Sequence, residues 1–110
     1  MWRRSNNKYH ATAVYIGGRR FASRLEGERY LMLLDAERRG LITGLRCQVR
    51  FRLAPCEATY VADFVYEKGG AEIIEDTKGV LTDVFKLKAD MMKNLLGKEI
   101  RIVTRATEPV

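Results

Sequence analysis

No apolar run in this 110-residue chain approaches the ~20 residues that a membrane-spanning helix requires. The first ten residues, MWRRSNNKYH, are basic and lack the apolar core of a secretory signal. Histidine occurs once and cysteine twice, at Cys47 and Cys56, without Cys-x-x-Cys spacing. A zinc site of thiolates and imidazoles is therefore not expected, and two reduced thiols in a cytoplasmic protein are the natural reading. No internal repeat or low-complexity segment is present. Acidic residues are in deficit, with 14 Asp and Glu against 20 Lys and Arg, which leaves a formal charge of +6. That balance favours a polyanionic partner, nucleic acid before an anionic membrane surface.

What the chain does have is an orderly succession of cap and turn signals. Residues 1–10 are expected to form a flexible basic arm, in which Arg3, Arg4 and Lys8 either fray with the terminus or touch phosphates. Thr12–Ile16 and Arg19–Ala22 flank Gly17-Gly18, predicting a short hairpin. Ser23 followed by Glu26 has the spacing of a capping box. The helix it opens should run to about Arg39, with Gly40 just past its end. Ala22, Tyr30, Leu33 and Leu34 share one side of that helix, and Glu26 falls among them. A carboxylate on an apolar stripe is expensive unless something pairs with it. Glu26 therefore either caps the helix or reaches a site, and the helix alone does not choose.

Leu45–Ala54 alternates Cys47, Val49, Phe51 and Leu53 with Arg46, Gln48, Arg50 and Arg52. This predicts a strand with one apolar face and one of three arginines and a glutamine, ended by Pro55. The second face is either simply solvent-facing or a basic surface beside the site with guanidinium groups suited to phosphate, which makes Gln48 and Arg50 candidate nucleic-acid contacts. Thr59–Lys78, TYVADFVYEKGGAEIIEDTK, reads as two strands joined at Gly69-Gly70. Thr82 or Asp83 should cap a second helix ending near Leu96, with Val84, Met91, Met92 and Leu95 as its apolar stripe. Lys86 and Lys88 lie near its anion-attracting N-terminus. Glu99–Thr104 is a last strand, and the remaining tail is expected to be loose. The order predicts an α/β fold in a single domain spanning residues 1–110: an N-terminal hairpin, then an αβββαβ core forming a mixed β-sheet flanked by helices.

Chemistry concentrates in the central hairpin. Strand alternation puts Val61, Asp63 and Val65 on one face, and Ile74, Asp76 and Lys78 on one face of the next strand. Antiparallel pairing can bring such residues within ~5 Å at Cβ. Two neighbouring carboxylates repel unless a cation lies between them. Magnesium takes one or two carboxylates plus carbonyl oxygen and water, so Asp63, Asp76 and a backbone carbonyl of Thr77 suit it. Lys78, two residues beyond Asp76, can orient an attacking water or stabilise charge building on a phosphate. The plain alternative is an Asp63–Lys78 ion pair at a strand edge.

Helical Glu26, strand Asp63 and Asp76-Thr77-Lys78 resemble the signature of the PD-(D/E)XK nuclease superfamily, with Ala62 where the motif's proline would stand. The segments NKY, FASRLEGERY, RCQVRFRL, YVADFVY and IIEDTKG, taken in order, resemble small phage-encoded proteins similar to archaeal-type Holliday junction resolvases. The resemblance implies a restriction-endonuclease-like fold, Mg²⁺ as cofactor (with Mn²⁺ substituting), and an endodeoxyribonuclease acting on four-way DNA junctions as a homodimer, in the host cytoplasm if phage-encoded. It makes Glu26, Asp63, Asp76 and Lys78 the catalytic set, and Asp63, Asp76, Thr77 and Glu26 the metal set. Glu75 adjoins Asp76 and is the rival motif acid; parity with Lys78 favours Asp76. A related nuclease acting on flaps, single strands or DNA ends, and a non-catalytic nucleic-acid-binding module, are the alternatives.

Overall fold

The computed structural model describes residues 12–110; the N-terminal arm with Arg3, Arg4 and Lys8 lies outside them. Strands β1 (Val14–Ile16) and β2 (Arg19–Phe21) form the expected hairpin. Helix α1 (Arg24–Arg38) starts at Ser23, whose hydroxyl accepts the Glu26 N–H at 3.1 Å. It ends at Arg39, followed by Gly40 at φ 78°, a left-handed exit that glycine adopts without strain. Strands β3 (Thr43–Arg52), β4 (Thr59–Lys68) and β5 (Ala71–Thr77) follow as an antiparallel meander. Helix α2 (Asp83–Leu96), capped by the Thr82 hydroxyl, carries the chain to β6 (Ile100–Val103), which pairs parallel to β5. The result is the mixed α/β fold expected: a four-stranded sheet in the order β3-β4-β5-β6, two helices and a separate hairpin.

Each face of the sheet carries its own core. On one side Phe21, Leu33, Ala36, Ile42, Phe64 and Tyr66 pack together beneath α1 and the hairpin. On the other, Leu53, Tyr60, Ala62, Val65, Ile74, Phe85 and Met92 pack beneath α2. The hairpin lies close against α1: a Cβ added to Gly27 would come within 2.5 Å of Val14 Cγ2. Arg29, one turn past Glu26, is wholly buried and paired with equally buried Glu75, Nη2 to Oε2 at 2.7 Å.

Three expectations are corrected. The apolar face of β3 is not continuous: Leu45 and Cys47 pack with the α1-side core, Val49 and Phe51 with the α2-side core. Gln48, at φ 53°, is the reason, since a left-handed residue within a strand reverses the sides to which its neighbours point. β4 makes the same exchange across Asp63, with Tyr60 and Ala62 on the α2 side and Phe64 and Tyr66 on the α1 side. Val61 and Val65 accordingly do not share a face: Val61 is exposed and Val65 fully buried. The second correction concerns α2, whose buried residues are Phe85 and Met92, with Ala89, Met91 and Leu96 partly covered; Val84 and Leu95 are exposed. The third is the C-terminal tail, which is not loose. Arg29 Nη1 donates to the carbonyl oxygens of Ala106, at 2.9 Å, and Glu108, and the Glu108 carboxylate accepts the Thr104 and Arg105 N–H groups.

Candidate active site

Four of the expected residues converge near one open cleft of about 580 Å³, lined by Glu26, Asp63, Thr77 and Lys78 together with the N-terminal ends of both helices. Each arrives for a separate local reason. Glu26 is in the first turn of α1 and is buried. Asp63 stands where β4 parts from β5, one residue before the first rung of their ladder, Phe64↔Glu75. Asp76 and Lys78 come from the end of β5, and the Lys78 N–H is held by the Val103 carbonyl at 3.0 Å, prolonging the parallel pairing with β6.

Asp63 Oδ2 accepts both the backbone N–H and the hydroxyl of Thr77, each at 2.9 Å. Asp76 lies beside it, 2% exposed. Burial first, then the negative charge of Asp63 and a hydrogen bond to it, raise the Asp76 carboxyl from 3.8 to about 8. Two groups oppose this rise: the Tyr60 hydroxyl, which donates to Asp76 Oδ2, and Lys78, whose Nζ is 3.4 Å from Asp76 Oδ1. The Lys78 ammonium also sits 4.5 Å from the centre of the Phe85 ring, a cation–π contact that fixes its direction. The ion pair of Lys78 is thus with Asp76, not the Asp63–Lys78 pair considered as an alternative. Glu26 is raised to about 7, by burial and then by Asp63. Its carboxylate accepts the Ala22 N–H and, at 2.9 Å, the Gln48 Nε2–H.

Glu75 occupies the opposite face of β5. Its carboxylate is filled by Arg29, Arg101 and the Tyr66 hydroxyl, so it is the counter-charge of a buried network and not a cleft residue. Tyr60 and Arg29 escaped notice in the sequence. The signal for Arg29 was there, as a second charge on the same helical stripe as Glu26. Arg50 is exposed on β3 opposite Val61, Lys86 is exposed on α2 and Lys88 half-buried there; none of the three lines the cleft. The hairpin's Arg20 does act on the site, drawing the Glu26 carboxyl downward.

Oxygen donors dominate the site, which suits a hard divalent cation. Among the described residues no three carboxylate, imidazole or thiolate side chains gather tightly enough to hold an ion by themselves. The ligands on offer are therefore the Asp63–Asp76 pair, Glu26, backbone oxygen and water, Glu26 also accepting the Gln48 amide. Both cysteines are free thiols. No helix among the described residues is long and apolar enough to cross a membrane.

No curated protein and no solved structure is significantly similar to the chain. Over residues 6–107 it matches the model of the family described as protein of unknown function (DUF1064), and the chain belongs to that family.

Proposed function

We propose that this protein is a metal-dependent, structure-selective DNA endonuclease that hydrolyses phosphodiesters at four-way junctions. The observation that carries the reading is the buried Asp76 carboxyl, set beside Asp63 with, among the described residues, one ammonium group, Lys78, to offset the charge. Such clustering is costly in a resting protein and is what a divalent cation would relieve. Asp63 and Asp76 would hold Mg²⁺ or Mn²⁺, with a backbone carbonyl such as that of Thr77. When bound, the ion supplies polarisation of the phosphoryl oxygen and a more acidic water. Lys78, fixed between Asp76 and the Phe85 ring, stabilises charge building on the phosphate. Tyr60 orients Asp76 by its hydrogen bond. Glu26 accepts or releases a proton near neutral pH. The cleft is open enough to admit a nucleic-acid backbone, and the +6 charge favours one.

The test is a synthetic four-way junction with Mg²⁺. Paired nicks are expected, and Asp63→Asn or Lys78→Ala should slow them on the order of 10²-fold. Parent-like cleavage by either variant would show that the site is misassigned. Faster cutting of flaps, single strands or duplex ends than of the junction would replace the substrate and keep the chemistry. Salt-sensitive binding with no Mg²⁺-dependent cleavage of any DNA would leave a non-catalytic binding module. Paired nicking calls for two copies, so sedimentation should show a homodimer, alone or on the junction.

A further inference from the structure

Gln48 alone among the described residues combines a side chain with a positive φ; the other seven such residues are glycines. It lies within β3, between the pairs Cys47↔Phe64 and Val49↔Ala62, and so stands across from Asp63. A left-handed conformation crowds Cβ against the following carbonyl oxygen, which glycine avoids. Backbone held in such a conformation tends to mark a functional site. Here the side chain has a partner: its Nε2 donates to Glu26 Oε2 at 2.9 Å. Glu26 is 5% exposed and also accepts the Ala22 N–H. A carboxamide suits this task better than a cation would, because it orients a carboxylate without neutralising it and never ionises.

We infer that Gln48 is a positioning residue for Glu26: the left-handed turn in β3 aims its carboxamide at Oε2 and holds the glutamate at the Asp63 side of the cleft. This gives Gln48 a role apart from the nucleic-acid contact expected for it from the sequence. The catalytic consequence rests on the nuclease reading; the hydrogen bond and the backbone conformation do not.

Two measurements test it. The first needs no activity. In a metal-free ¹⁵N spectrum, the Gln48 side-chain NH₂ should be shifted and slow to exchange, and should move to the position of a free amide in Glu26→Ala. A free-amide signal in the parent overturns the inference. The second measurement is cleavage of the junction. Gln48→Gly should lower kcat on the order of 10²-fold, the scale of a displaced catalytic group, with KM nearly unchanged. Gln48→Asn, which tolerates the backbone but reaches less far, should not rescue it. A rise in KM alone would make Gln48 a substrate contact and sink the positioning role. An intact amide signature in a protein that cuts no DNA would uphold the positioning of Glu26 while removing the nuclease.

Discussion

Asp63→Asn should make the metal-free protein more stable at alkaline pH, even as it removes activity. The reasoning begins from Asp76, whose carboxyl is raised from 3.8 to about 8, chiefly by burial and next by Asp63. An acid whose folded-state pKa exceeds its unfolded value binds more protons when folded, so stability falls as pH climbs between the two values. The window runs from about pH 4 to pH 8 for Asp76, and from about 4.5 to 7 for Glu26. At 1.36 kcal/mol per pH unit, Asp76 alone sets a ceiling of roughly 5–6 kcal/mol. The effective dielectric of a protein interior, well above that of a dry medium, lowers this to about 2–3 kcal/mol. Burial is unchanged in Asp63→Asn, so the variant recovers only the smaller, charge-derived part, about 1–2 kcal/mol at pH 8.5 and almost nothing at pH 4.5. The asparagine carbonyl can still accept the Thr77 N–H, so the main local hydrogen bond survives. The assay is urea unfolding in chelator at half-unit pH steps. Added Mg²⁺ should stabilise the parent more at pH 8 than at pH 5 and have little effect on the variant. A parent whose stability is flat or rising from pH 5 to pH 8, or a variant with no gain at pH 8.5, refutes the account of the aspartate pair.

Arg29→Ala leaves the Glu75 carboxylate buried and releases the carbonyls of Ala106 and Glu108; it should cost about 3–5 kcal/mol in denaturant unfolding. Arg29→Met with Glu75→Gln should recover a good part of that loss, because no fully buried charge is left unpaired; Arg101, which also faces Glu75, is part-exposed and stays solvated. Gly27→Ala places a methyl 2.5 Å from Val14 Cγ2; a loss of about 1–2 kcal/mol is expected despite alanine's better helix propensity, with exchange protection falling first in β1 and β2. Tyr60→Phe removes a hydrogen bond that holds the Asp76 carboxyl down, so isothermal titration near neutral pH should show Mg²⁺ binding weakened and its onset moved to higher pH.

The elements were legible wherever a residue advertised its backbone. Ser23 and Thr82 accept helix N–H groups, and Gly40, Gly69, Gly70 and Gly97 turn the chain at positive φ, each of which the residue type announces. The α2 stripe was misread because that helix has two apolar arcs: Phe85, Ala89 and Met92 face the sheet, while Val84, Leu87 and Leu95 are exposed. Periodicity finds both arcs, and only the sheet decides between them. The site shows the same limit more sharply. Parity placed Asp76 with Lys78 and Glu75 on the other face correctly, because β5 is regular from Ile73 to Thr77. Parity failed one strand away, because β3 and β4 exchange faces at the Gln48–Asp63 rung and no glycine marks the exchange. A regular β4 would have left Asp63 on a face set by Val61 and Val65. The irregular one instead frees it from the ladder at the edge of the cleft, where its Oδ2 can meet the Thr77 N–H. The deviation that defeated the alternation rule is thus the one that brings the two aspartates together, and its signature is a left-handed glutamine that a substitution can ease.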